Sequence, residues 1–321
     1  MLLKVKVKLA KMAMNLMPSE PTYDITHPRS ETVNHKNFIN ASESEKREIL
    51  LAMAKGHYLE DQTYPFDHFF VPFHVSLKEL LFQKDILDLG CWCGGKSVSW
   101  AERWNVHSIT GVDVNEYFFE AARLFSAQRR NFGYSFDVGY SEDLPYEDNT
   151  FDAIVSYDVF EHVQSLQKTL IECKRVLKPG GILLAVFPSY YMPTESHLSH
   201  VTRTPCIQWF FSPHTLQLAY NEIIESRGDA AYWYKSKEKA DWKKLTGGIG
   251  INGTTVRDFS TVVEKVGFSR KYIFLPPLFS VGHMSLRHPS VKYISKMLKP
   301  LIEIEFFQDH LSHRIVSMLI V

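Results

Sequence analysis

The sequence predicts a doubly wound α/β fold, and three observations carry that expectation. Residues 85–89, a short apolar run broken only by Asp88, lead into Gly90-Cys91-Trp92-Cys93-Gly94-Gly95 and then into helical spacing from about Lys96. A second run, Ser108 to Val114, contains near its end an acid, Asp113, 25 residues after Asp88. Further apolar runs at 134–138, 153–156 and 182–187 are separated by stretches of helical periodicity at 116–129 and 166–177. Short strands alternating with helices read as βα units around a parallel sheet.

The first turn also narrows the ligand. Strand, glycine turn, helix, strand and acid is half of a dinucleotide-binding layout, in which the acid accepts hydrogen bonds from ribose hydroxyls. A pyrophosphate calls for G-x-G-x-x-G, whereas this turn is G-x-x-x-G-G and carries no phosphate-binding lysine motif. A nucleoside without phosphates is the expected occupant.

Residues 86–95 resemble the first motif of class I S-adenosylmethionine-dependent methyltransferases, D-x-G-x-G-x-G, with Trp92 in the middle glycine's place. Gly139-Tyr140-Ser141-Glu142-Asp143-Leu144-Pro145-Tyr146 is similar to that family's G-D-A-E-D-L-P-F, with Tyr140 where an acid usually stands. Arg175-Val176-Leu177-Lys178-Pro179-Gly180-Gly181 matches its R-V-L-K-P-G-G turn, whose role is to end a helix and re-enter the sheet. These blocks lie in family order within residues 86–187. The resemblance, to the type-11-like methyltransferase domain, implies a Rossmann-like, seven-stranded, mostly parallel sheet with an antiparallel last strand. It also implies S-adenosylmethionine as cofactor, contacted by Asp88, Gly90, Cys91, Trp92, Gly94, Asp113, Val114, Ser141, Glu142 and Tyr157.

Around that core, residues 1–60 read as a basic and helical extension, 61–187 as the cofactor-binding core, and 188–255 as a substrate cap. Residues 256–321 return to the core with a helical excursion. Lys4, Lys6, Lys8 and Lys11 interrupt any apolar run long enough to span a membrane or serve as a signal core. A solvated start, an edge strand and a basic helix on an anionic membrane are the three readings of residues 1–17. Ser42 to Lys55 has a helix start signal and an apolar patch at Ile49, Leu50, Ala52 and Met53. The aromatic stretch Tyr64 to Phe70 is either a cover for the cofactor or a structural plug. Gly248 to Gly253 spells G-x-G-x-x-G but follows no buried strand, so it is not read as a second nucleotide site.

Composition bounds the partners. Thirty-six basic and 36 acidic residues leave no net charge, which argues against nucleic acid. Four cysteines without disulfide or zinc spacing fit a reducing, cytoplasmic setting.

A sulfonium methyl is already electrophilic, so the protein's main task is alignment, which contributes roughly 7–11 kcal/mol. A hydroxyl acceptor also needs a base, adding about 10²–10⁴-fold. His162, His197 and His200 are the candidates because they follow the fourth and fifth strands, with His200 favoured beside Tyr190, Tyr191 and Trp209. His197 and His200 could instead hold a metal with Glu195 or Asp158, a use ranked below the base. The expected activity is methylation of a hydroxyl on a polar small molecule or glycan. N- or C-methylation of a natural product or lipid precursor is the runner-up. Trp92 and Tyr140 keep open a binding subunit that has lost catalysis.

Overall fold

The structure, a computed structural model, describes residues 2–19, 41–114, 116–129, 132–193, 198, 201–226, 252–278, 280 and 291–321. The strands are β1 (Asp85–Leu89), β2 (Ser108–Asp113), β3 (Tyr134–Val138), β4 (Phe151–Tyr157), β5 (Leu177–Phe187), β6 (Arg270–Phe274) and β7 (Ile315–Ile320). They form one sheet in the order β3-β2-β1-β4-β5-β7-β6. β1 pairs in parallel with β2 and with β4, and β7 runs antiparallel to both β5 and β6. The seven strands and the reversed last one agree with the expected fold.

Side-chain alternation divides the core into two layers, because successive strand residues face opposite sides. Leu87, Leu89, Ile154, Leu183, Ala185 and Phe187 pack on one face against Leu170, Cys173, Val176, Phe259 and Val263. Those partners come from α6 (Leu166–Val176) and α8 (Val256–Val266). Ile86, Ala153, Val155, Leu184 and Val186 face the other way, toward Phe66, Phe70, Trp100 and Trp104. Here the covering elements are residues 66–70, α3 (Leu77–Leu80) and α4 (Gly95–Trp104). α5 (Phe119–Ser126) lies beside α4 on the β3 side.

The aromatic stretch resolves as a plug. Phe66 and Phe70 are fully buried against Trp100 and Trp104. Asp67 accepts hydrogen bonds from the indole of Trp104 and from Arg103. The stretch also reaches the end of β4, where the rings of Phe66 and Phe69 each lie 6.0 Å from Tyr157.

α2 spans Glu43–Thr63, eight residues past its expected end at Lys55. Ser42 and Glu45 form a reciprocal capping box at its start. Gly56 does not end it, because packing outweighs the local cost of glycine. The second half carries Asp61, whose buried carboxylate accepts from Ser99, Trp100 and Arg103 of α4.

Two further expectations need correction. β5 begins at Leu177, directly after α6, rather than at Ile182. Leu177 already pairs with Phe151, and the Lys178-Pro179-Gly180-Gly181 turn is an irregularity inside the strand, with Gly180 at φ +76°. The N-terminal residues are neither solvated coil nor strand. They form α1 (Leu2–Met14), whose Val7, Ala10 and Met14 are buried against Leu198, Val201, Ile207, Leu216 and Ala219. Leu216 and Ala219, with Tyr220 and Ile223 of the same cluster, belong to α7 (Pro213–Ser226), in the segment expected to form the cap. Lys11 pairs with Glu222 at 2.9 Å, and Pro18 forms a β-bridge with Thr202. The extension and the cap therefore share one small core. Residues 248–251 of the glycine-rich run lie outside the described residues.

Candidate functional site

The parallel part of the sheet changes direction of growth between β1 and β4. Ligands of such sheets bind outside the carboxyl ends of the strands at that point. The turn after β1 is built around the end of β2: Gly90 and Cys91 both donate their N–H to the carbonyl of Val112, at 2.8 and 3.1 Å. Gly90 is left-handed at φ +80°, and a Cβ there would come within 2.2 Å of Val159, in the turn after β4. Only glycine lets these two turns meet.

Trp92, the departure from the family motif, also takes a left-handed backbone, at φ +49°. Such a conformation costs on the order of 1–3 kcal/mol in a non-glycine residue. Two contacts hold it: its N–H donates to Asp113 Oδ2 at 3.1 Å, and its indole stacks on Phe118 with ring centroids 4.2 Å apart. The ring is thereby packed into the cluster that includes Leu50 and Met53 of α2. Its Nε1 is buried and has no acceptor among the described residues. Asp113, half-buried at the end of β2 and bonded to this turn, is an acceptor of the kind that a ribose diol satisfies. The residues present thus fit the nucleoside that the sequence implies.

Other expected contacts have structural duties in view. Asp88 is 2% exposed and accepts from the Ser97 hydroxyl at 2.5 Å. Burial raises its carboxyl to about 7, with the negative charge of Asp113 adding to the effect. Cys91 is buried, and burial pushes its thiol up as well. Gly94 opens α4 in a left-handed conformation, while Val114 follows β2 at 57% exposure. Ser141 bonds to Thr169, and Glu142 accepts from the N–H groups of Gln164 and Ser165, bracing the start of α6. Tyr140, in the place of the family's acid, is exposed.

A second group gathers at the end of β4. The Tyr157 ring has the Lys96 ammonium 4.5 Å from its centroid and the Arg314 guanidinium 5.3 Å from it. Asp158, left-handed at φ +58°, forms an ion pair with Arg314, which is itself buried. Glu161 is also buried, and its carboxylate lies 3.8 Å from Nε2 of the half-exposed His162. Asn252, from the end of the cap, holds this turn by donating to the carbonyls of Phe160 and Val163. Val159 joins the two groups, since it meets Gly90 on one side and belongs to this turn on the other.

Of the three predicted histidines, the structure places His162 at this edge, whereas His197 and His200 lie outside the described residues. Glu195, the other suggested metal partner, lies outside them too. Two of the aromatic residues named beside His200, Tyr191 and Trp209, also pack against His310. His310, in α10 (Glu305–Leu311), stacks on Tyr191 and meets Trp209 edge-on, each at 5.1 Å. Trp209 also donates to the carbonyl of Tyr191 at 2.6 Å.

Lys96 and Arg314 were not foreseen. Arg314 is 156 residues from its partner Asp158 and meets it because β7 runs backwards, so that Ile315 pairs with Phe187 at the end of β5. An arginine just before the last apolar run was the available signal, once an antiparallel final strand was expected. His313, its neighbour, is held down to about 4 by burial and is therefore neutral near pH 7.

A sequence profile described as a methyltransferase domain matches residues 87–185. Norajmaline N-methyltransferase of Rauvolfia serpentina is 36% identical over 99 residues, covering 30% of this chain and 34% of its own length. A sterol 24-C-methyltransferase of Gibberella zeae is 35% identical over 101 residues, covering 30% of this chain and 26% of its own. The chain thus spans about a third or less of these two curated relatives. Among solved structures, a phosphoethanolamine N-methyltransferase of Haemonchus contortus in complex with S-adenosyl-L-methionine superposes with a TM-score of 0.49 and 13% identity. That superposition covers 91% of this chain and 60% of the other.

Proposed function

Residues 87–185 belong to the methyltransferase-domain family, and on that premise we propose that the chain methylates a hydroxyl of a small polar acceptor or glycan. S-adenosylmethionine would supply an electrophilic methyl on a sulfonium, with a neutral thioether as leaving group. Asp113 would accept from its ribose hydroxyls, with the turn at Gly90 and Trp92 bearing on the same sugar. Asp88 supports the turn from beneath through Ser97.

The observation that carries the hydroxyl reading is the Glu161–His162 pair beside the Asp158–Arg314 ion pair, all on the turn after β4 or facing it. His162 is half-exposed at this edge with the Glu161 carboxylate 3.8 Å from its Nε2, and it is the group that would take up the acceptor's proton as the new bond forms. His313 is a poorer choice, because a group at about 4 binds a proton weakly at neutral pH. Asp158 and Arg314 offer an acceptor and a donor to neighbouring polar groups.

The names of the relatives support a second reading, transfer to nitrogen or carbon. An acceptor screen with labelled S-adenosylmethionine separates the two. Under the hydroxyl reading, products gain one methylene in mass on oxygen, and His162→Gln lowers kcat by about 10²-fold or more with cofactor affinity unchanged. Methylation on nitrogen or carbon alone, or full activity in His162→Gln, overturns it. Cofactor binding with no transfer to any acceptor would point instead to a binding subunit.

A further inference from the structure

Two helices leave their apolar residues on the outside. On α1 the buried side is Val7, Ala10 and Met14, yet Leu2, Val5, Leu9 and Met12 are each at least half exposed, as is Leu16 just beyond the helix. Their spacing of three and four residues makes one stripe, and at 100° per residue it lies opposite the buried side. α9 (Val291–Ile302) repeats the arrangement. Ser295 and Ile302 are buried, while Ile294, Met297, Leu301 and the following Ile304 form an exposed stripe with Tyr293 beside it.

The helices are linked through their neighbours. α1 packs on Ile207, in the turn that carries Trp209 and the 77%-exposed Phe210. Trp209 meets His310, and His310 stacks on the exposed Phe306 of α10, which packs against α9. Exposed apolar side chains therefore recur from α1 across this connection to α9.

Charge selects what this surface meets. α1 holds four lysines and α9 three, and neither helix contains an acid, in a chain whose total charge is balanced. Lys11 is occupied by Glu222, which leaves Lys4, Lys6 and Lys8, of which Lys6 and Lys8 flank the α1 stripe. A two-fold dimer through the α1 stripe would set lysines against lysines. The α1 stripe, edged by Lys6 and Lys8, suits a lipid surface, where the apolar side chains enter the acyl boundary and the ammonium groups stay at the anionic headgroups, and the α9 stripe adds apolar area without lysines along its edge.

We propose that α1 and α9 form a docking face for an anionic lipid bilayer. The proposal is independent of the methyl acceptor and of cofactor binding. The test is sedimentation of the full chain with phosphatidylcholine vesicles containing phosphatidylserine, alongside phosphatidylcholine alone, at low and at high salt. The chain should sediment with the anionic vesicles at low salt and be released by salt. Lys8→Glu, and separately Leu9→Glu or Met297→Glu, should each weaken partitioning roughly tenfold, since one surface charge contributes about that order. These positions are exposed, and an unchanged melting curve checks that each variant folds. No sedimentation at low salt, equal binding to neutral vesicles, or wild-type partitioning by all three variants overturns the proposal. So does a stable dimer in analytical ultracentrifugation that Leu9→Glu dissociates, since the stripe would then be an interface between copies.

Discussion

Asp88 is a carboxyl whose protonation bears on folding. Burial lifts it from an ordinary 3.8 to about 7 in the folded chain. Below about pH 4 the folded and unfolded chains both hold the proton. Between about 4 and about 7 the folded chain keeps it and the unfolded chain loses it, so stability falls as pH rises through this window and then levels off. Asp88→Asn keeps the shape and an acceptor for Ser97 but cannot ionise. It should abolish this share of the slope, worth at most about 4 kcal/mol for a shift of this size, when denaturant melts are compared at about pH 5 and about pH 8. Asp113 calls for a different measurement. Asp113→Ala should weaken calorimetric binding of S-adenosylmethionine by about 1.5–3 kcal/mol, as for hydrogen bonds to a charged group. Unchanged affinity in the folded variant removes Asp113 from the cofactor site.

Among elements, α2 comes close to the start of α4 at Gly95. A Cβ on Gly95 would lie 2.1 Å from the carbonyl oxygen of Ala54 and 2.9 Å from the backbone nitrogen of Tyr58. Both obstacles are backbone, so α2 itself would have to move. Gly95→Ala should cost about 1–3 kcal/mol, read as a lower Tm. A Tm equal to the wild type's would show that α2 is free to shift. This contact also marks where the sequence stopped being informative. The glycine pair at 94–95 is visible as part of the G-x-x-x-G-G turn, yet Gly95 serves helix packing. β1, β2 and β3 could be placed within a residue because buried parallel strands are short, apolar and bounded by turn residues. The start of β5 could not, because Leu177 is held by Phe151 across the sheet rather than by its neighbours in sequence. The Asp158–Arg314 pair was hidden for the same reason, since it depends on the register of β7. For the three histidines, sequence order placed all of them near strand ends, and the described structure bears on His162 alone.

At the scale of the molecule, the extension and the cap are one unit beside the sheet. Val7, Ala10 and Met14 are buried by cap residues, and the exposed Lys11–Glu222 pair contributes little beyond them. Removing residues 2–17 would uncover the apolar face of α7. Burial of a Val and a Met side chain contributes roughly 3 kcal/mol or more, so the opened cap should become at least about tenfold more populated. Limited proteolysis should then cut within residues 201–226 sooner than in the intact chain. Amide protection in β1, β4 and β5 should persist, because among the described residues neither of the sheet's two buried clusters includes a residue of α1. Equal proteolysis rates with and without residues 2–17 would show that the cap stands alone.

The reversal of β7 has a practical side. Its first residue abuts the carboxyl ends of the parallel strands, so its last emerges at the other edge, where Val321 exchanges hydrogen bonds with Gly180 and Gly181. Six residues of strand separate the two edges by roughly 20 Å. A fluorophore on a cysteine placed at position 321 would therefore sit clear of the proposed cofactor site and close enough for resonance energy transfer to a labelled nucleoside, giving a binding signal that requires no turnover.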